Sequence, residues 1–364
     1  MTGTLTPESA SKVGGLTLWG PDCPRPSALF FPRKELLDNA TIDVLLWFHG
    51  FYVSTYRDLF ADFASFDPDK NPDVHLRQSL LDSKRDLVLL APFLGAVPYP
   101  AGAAEKKAAV TKEQQDKVAR KNELYQAGAK KYHQVEADLG SGNACEDYLT
   151  GVLEAIGDYR AAAKAASTPA PAGTAPTPKP APAVAPKLGN LYLACHSGGG
   201  KGMLDVLTSL GSMKGQLKEC WGFDCIYSGD SYDGAARGNP KVKFYLYFGQ
   251  GSSFTAAFAP FSQKYGMHGR KPASGLDNLM IAPATTSKLP GVDDDSRAFA
   301  KTADFPPQAA KVQNYETFRR QLDGVRAETT AFARFMADHM QALRSHYAVP
   351  ATLLAPRITQ SITP

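Results

Sequence analysis

The sequence predicts a doubly wound α/β domain with a mostly parallel central sheet of about eight strands flanked by helices. Three observations lead there. The chain carries eight short apolar runs rich in β-branched and aromatic residues. Those runs are continuous rather than alternating, as in strands covered on both faces. Helical periodicities separate the later runs, and strands that alternate with helices pair in parallel.

In chain order the strands are expected at Leu16–Trp19, Ala28–Phe31, Ile42–Phe48, Asp86–Ala91, Leu191–Cys195, Cys220–Tyr227, Val242–Phe248 and Asn278–Ala282. Glu146–Ala166 reads as a helix with Leu149, Val152, Leu153, Ile156 and Tyr159 on one stripe. Lys201–Leu210 and Tyr315–Tyr347 read the same way. Two segments interrupt the alternation. Ala104–Gly140 is a polar, Lys/Glu-rich helical insertion whose apolar stripe is thin, which favours a solvated surface helix over a cap on a site. Ser167–Lys187 holds seven prolines and reads as an extended, flexible loop inside one domain spanning 1–364.

Bulk properties narrow the function. The 364 residues are 43% hydrophobic and 21% charged, with a net charge of +4, so no electrostatic case exists for nucleic acid. No run approaches the ~18–20 apolar residues needed to span a bilayer. Met1–Val13 is polar, unlike a signal peptide, so a cytoplasmic setting is the default, with signal-less export left open. The five cysteines lack zinc-ligand spacing and read as reduced structural thiols, a Cys220–Cys225 bridge being the alternative for an exported chain. No metal or cofactor is expected; Asp293-Asp294-Asp295 reads as a solvated acidic loop.

The chemistry concentrates at Ala194-Cys195-His196-Ser197-Gly198-Gly199-Gly200. A strand ends there, glycines force a tight turn, and a helix follows. A serine at the apex of such a turn is a nucleophile elbow, with the next N–H and the helix N-terminus facing a developing oxyanion. Cys195 stands where the usual G-x-S-x-G pattern has its first glycine; Gly199 keeps the second. A phosphate loop is excluded, because a Walker A motif needs glycine at Cys195 and Ser/Thr at Gly202. The early strand ends in His49-Gly50-Phe51, whose Phe51 N–H would be the second oxyanion donor beside Gly198, with His49 holding the loop.

With these motifs the chain resembles the α/β-hydrolase superfamily of serine hydrolases, and His49-Gly50-Phe51 is similar to the oxyanion loop of pancreatic-type lipases. The resemblance implies an α/β-hydrolase fold and hydrolysis through a Ser–His–acid triad. No carboxylate follows the strand Val242–Phe248. The Gly222-Phe223-Asp224 setting resembles the acid position of pancreatic-type lipases, so Asp224 is the expected acid, then Asp230, then Asp233. Among the histidines after Asp224, His268 precedes the last strand and His339 sits inside a helix. His346 ends that helix shortly before Pro350, in a Ser-His-x-x-x-Pro run like the His loop of some α/β hydrolases, and is the expected base. Tyr52, His196 and Tyr227 are expected to line the substrate site.

The expectation is therefore a serine hydrolase acting on a small-molecule or lipid-like carboxylic ester through an acyl-enzyme. Amidase or peptidase chemistry uses the same groups. A non-catalytic α/β-hydrolase-like binding protein is the alternative from another class.

Overall fold

The computed structural model describes residues 4–7, 15–19, 26–51, 53, 76–167, 184–225, 229–249, 276–284 and 353–360. They form a mixed α/β architecture around a nine-stranded sheet ordered β1-β2-β3-β5-β4-β6-β7-β8-β9. The strands are β1 (Thr4–Pro7), β2 (Gly15–Trp19), β3 (Ser27–Phe30), β4 (Thr41–Phe48), β5 (Leu87–Pro92), β6 (Lys187–His196), β7 (Leu217–Phe223), β8 (Lys243–Gly249) and β9 (Leu279–Ala284). β1, β2 and β3 pair antiparallel, and β3 meets β5 antiparallel. From β5 to β9 every pairing is parallel. All eight expected strands overlap an observed one. β1, in the segment read as polar, adds a ninth at the sheet edge.

Period-two alternation divides the strand residues between two cores. Val44, Leu46, Phe48, Leu193 and Cys195 face one side, under helices α3 (Lys112–Leu139), α4 (Ala144–Ser167), α5 (Gly200–Val206) and α6 (Gly229–Gly238). Leu45, Trp47, Tyr192, Ala194 and Trp221 face the other, under α1 (Leu76–Ser83) and a helix α7 at 353–360. A one-residue slip of β4 would exchange these sets, so burial on both faces fixes its register against β5 and β6.

The 104–140 insertion forms α2 (Ala103–Ala108) and α3. A capping box opens α3: Thr111 accepts from the Gln114 N–H and the Gln114 side chain accepts from the Thr111 N–H. Its first half is solvated and carries Lys112–Asp116 and Lys117–Glu113 pairs. Its last two turns bury Tyr132, Glu136 and Leu139. The surface-helix expectation thus holds only for the N-terminal half. The stripe was thin because one of its three buried members is a glutamate.

α4 buries Leu149, Val152, Leu153 and Ile156 as the stripe predicts. Residues 168–183 of the Pro/Ala tract, the expected helix Tyr315–Tyr347 and Asp293–Asp295 lie outside the described residues. Cys220 and Cys225 are both buried free thiols, so no Cys220–Cys225 bridge forms. Cys220 lies within β7, while the Cys225 sulfur turns toward the Tyr232 hydroxyl at 3.1 Å. No helix among the described residues is long and apolar enough to cross a membrane.

Candidate active site

The switch in chain direction across the sheet positions the site. The chain passes from β4 to β5 on one side and then over to β6 on the other, leaving β4 and β6 adjacent and parallel. In open α/β sheets, ligands bind beyond the carboxyl ends of strands at such a switch point. Phe48 pairs with Cys195, so His49-Gly50 and His196-Ser197 leave the sheet side by side.

Ser197 has φ +52°, a left-handed conformation that a non-glycine residue adopts at a cost. A single 3-10 turn, Ser197–Gly199, then feeds α5. Two glycines make the turn fit. A Cβ on Gly199 would collide with the Phe48 carbonyl oxygen. A Cβ on Gly50 would lie 2.8 Å from the Ser197 Cβ and 3.4 Å from its Oγ. The loop after β4 is therefore pressed directly against Ser197.

His49 is part of the scaffold of that loop. It is fully buried; Nε2 accepts the Leu94 N–H at 2.8 Å, which leaves Nδ1–H to donate to the Gly50 carbonyl at 2.7 Å. The Tyr132 hydroxyl of α3 donates to the His49 carbonyl. Phe51 lays its ring over Gly198 and meets Tyr132 edge-on, with centroids 4.8 Å apart.

Asp224 is the first residue beyond β7. His196 pairs with Phe223, so Ser197 and Asp224 stand abreast at the ends of neighbouring parallel strands. Asp224 is buried, has φ +48°, and donates its backbone N–H to the Tyr247 carbonyl at 2.6 Å. Asp230 lies in the first turn of α6. Asp233, further along α6, pairs with Arg237 at 3.1 Å. His196 is fully buried at the end of β6. His346, Tyr52 and Tyr227 lie outside the described residues.

Ser197 and Gly198 open into a cavity of 970 Å³. Phe51 forms part of its wall, α3 contributes Tyr125, His133 and Ala137, α5 contributes Lys201, Leu204 and Asp205, and α6 contributes Ser231 and Tyr232. Sequence reasoning missed α3 as a wall. Its signal is the step Tyr132-His133-x-x-Glu136-x-x-Leu139, which places a titratable pair among residues that go into the core. Glu136 is fully buried; Oε1 accepts the Gly202 N–H at 3.0 Å, and Oε2 shares a hydrogen bond with His133 Nδ1 at 2.8 Å. Burial pushes the Glu136 carboxyl up to about 8, against the opposing pull of the Gly202 N–H. Burial, with Lys201 adding, lowers His133. Among the described residues, no three or more His, Cys, Asp or Glu side chains converge as metal ligands.

The fold and site define a class in coarse terms: a mixed α/β protein with a strained serine at a strand–turn–helix, facing a large cavity. No family model matches the chain, and no curated protein matches it. Among solved structures it is similar to one titled "Crystal Structure of sOPH Native", at 14% identity over 82% of this chain and 88% of that one, with a TM-score of 0.32.

Proposed function

We propose that the chain is a serine hydrolase of the α/β-hydrolase type that cleaves carboxylic esters, with Ser197 as nucleophile. One observation carries the reading. Ser197 holds a positive φ at the turn between β6 and α5, with Gly50 packed against it and the cavity before it. Such strain persists only where the surroundings enforce it, and here it sets the hydroxyl at the carboxyl edge of the sheet. The order of parallel strands about the β4–β6 switch supports the same fold type.

In the proposed mechanism a histidine, His346 by sequence position, takes the Ser197 proton as the oxygen attacks the ester carbonyl. The N–H groups of Phe51 and Gly198 receive the oxyanion. Asp224, abreast of Ser197 on the adjacent strand end, orients the imidazole and stabilises its charge; Asp230 is the runner-up. The alcohol leaves with the proton, and water then releases the acyl group by the reverse sequence.

The test is labelling with a fluorophosphonate probe, which phosphonylates activated serines. The wild type should label and Ser197→Ala should not. An unlabelled wild type, or equal labelling of the variant, would sink the reading.

A further inference from the structure

Glu136 is a fully buried carboxyl that the proposed mechanism does not use. Burying a carboxyl is costly unless both oxygens are satisfied, and here both are. Oε1 takes the N–H of Gly202 in α5, and Oε2 meets His133 Nδ1 at 2.8 Å. His133 is 46% exposed and lies on the cavity wall. Its ring is held between Phe51, at 5.5 Å, and Tyr132, at 5.6 Å. With Nδ1 bonded to the buried carboxyl and the side chain half exposed on the cavity wall, Nε2 is the ring nitrogen left for a ligand.

We propose that His133, backed by Glu136, recognises the substrate: its Nε2–H donates to a hydrogen-bond-accepting oxygen of the acyl chain, such as a ketone or second carbonyl. This rests on the cavity being the ester site of the hydrolase reading.

The proton inventory supports a donor at Nε2. Burial raises Glu136 to about 8 and lowers His133, so at neutral pH both groups are uncharged. A neutral carboxyl gives its O–H to Nδ1, and the imidazole proton then sits on Nε2. Once Glu136 ionises, Nδ1–H donates to the carboxylate and Nε2 becomes an acceptor. The charged groups set against the pair are Lys201 and Asp205 of α5, themselves paired with each other. From β4, the apolar Phe48 ring lies beside Gly202. The pair is thus a donor at neutral pH and an acceptor above about 8.

Binding to the Ser197→Ala protein tests this without turnover, using 4-nitrophenyl 4-oxopentanoate and the matched 4-nitrophenyl pentanoate. At pH 7 the oxo ester should bind about three- to tenfold more tightly, the worth of one net hydrogen bond. Adding His133→Ala should remove that preference. Adding Glu136→Gln should keep it at pH 9.5, where the Glu136 protein loses it, because the Gln amide still donates to Nδ1. In ¹⁵N spectra the His133 proton should sit on Nε2 at pH 6.5 and on Nδ1 at pH 9.5, staying on Nε2 in Glu136→Gln. Equal binding of the two esters at pH 7, a preference that survives His133→Ala, or an unchanged tautomer across this range would overturn the proposal. None of these outcomes bears on fluorophosphonate labelling of Ser197, which judges the hydrolase reading separately.

Discussion

The cavity has two walls built on different terms. The wall at the ends of β4, β6 and β7 is mostly backbone: glycines at close approach, two non-glycine residues at positive φ, and strand pairings that set Ser197 beside Gly50 and Asp224. The α3 wall is made of side chains, held by Tyr132 on the His49 carbonyl and Glu136 on the Gly202 N–H. The first wall has little freedom, because small displacements produce backbone collisions. The second can change state, since a proton rather than a collision governs it.

That contrast is tested most severely at Asp224. In Asp224→Asn the left-handed backbone is kept, since Asn tolerates positive φ, and only the carboxylate is lost. Ester hydrolysis should fall by about 10³–10⁴-fold, as when a triad acid is made neutral, with thermal stability little changed. A loss within tenfold would move the acid to Asp230.

The second effect belongs to the other wall and appears in stability. Glu136 holds its proton more tightly when folded, about 8 against a reference of 4.5. Its contribution is therefore fully present below 4.5, is lost as pH rises through that window, and is gone above about 8. At roughly 1.4 kcal/mol per pH unit the loss is at most about 5 kcal/mol. Glu136→Gln cannot titrate. Its stability to urea should therefore gain on the wild type between pH 5 and pH 8.5; parallel curves would remove Glu136 as the titrating group.

Gly50→Ala is the matching steric test of the first wall. The new Cβ would sit 2.8 Å from the Ser197 Cβ. Overpacking of this kind costs about 1–3 kcal/mol; if that cost falls on the reactive geometry of Ser197, fluorophosphonate labelling should slow by about fivefold to 150-fold. Labelling at the wild-type rate would show that the β4 loop yields easily, and the two walls would no longer differ in stiffness.

The two walls also differ in how far the sequence discloses them. The strands were readable because burial on both faces leaves unbroken apolar runs such as Val44–Phe48 and Leu191–Cys195. Ser197 was readable because its turn demands glycines at fixed offsets along one stretch of chain. Asp224 needed the β6–β7 pairing to come abreast of Ser197, which only resemblance suggested. His133 and Glu136 left only the helical spacing of Tyr132, Glu136 and Leu139, which does not by itself tell a buried face from a solvated one. Their burial depends on α3 meeting α5, a tertiary contact, and a glutamate in a Lys/Glu-rich helix looks like any solvated charge. The edge strand β1 was hidden for a related reason, since Thr4–Pro7 has polar residues and pairs on one side only.

The smallest expected effect lies within α3 itself. Lys117 and Glu113 pair at 2.7 Å, with side chains 72% and 79% exposed. Exposed i,i+4 pairs contribute about 0.3–0.5 kcal/mol, so Lys117→Gln should barely move the thermal midpoint and leave labelling of Ser197 unchanged. The last two turns of the same helix bury Tyr132, Glu136 and Leu139, whereas Lys117 lies about four turns before Tyr132 on the solvated half. A clear change in labelling from Lys117→Gln would mean that α3 moves as one rigid lever over the cavity. An unchanged rate, set against the effects of Asp224→Asn and Gly50→Ala, would confine coupling to the stretch from Tyr132 to Leu139, where side chains of α3 reach the β4 loop and α5.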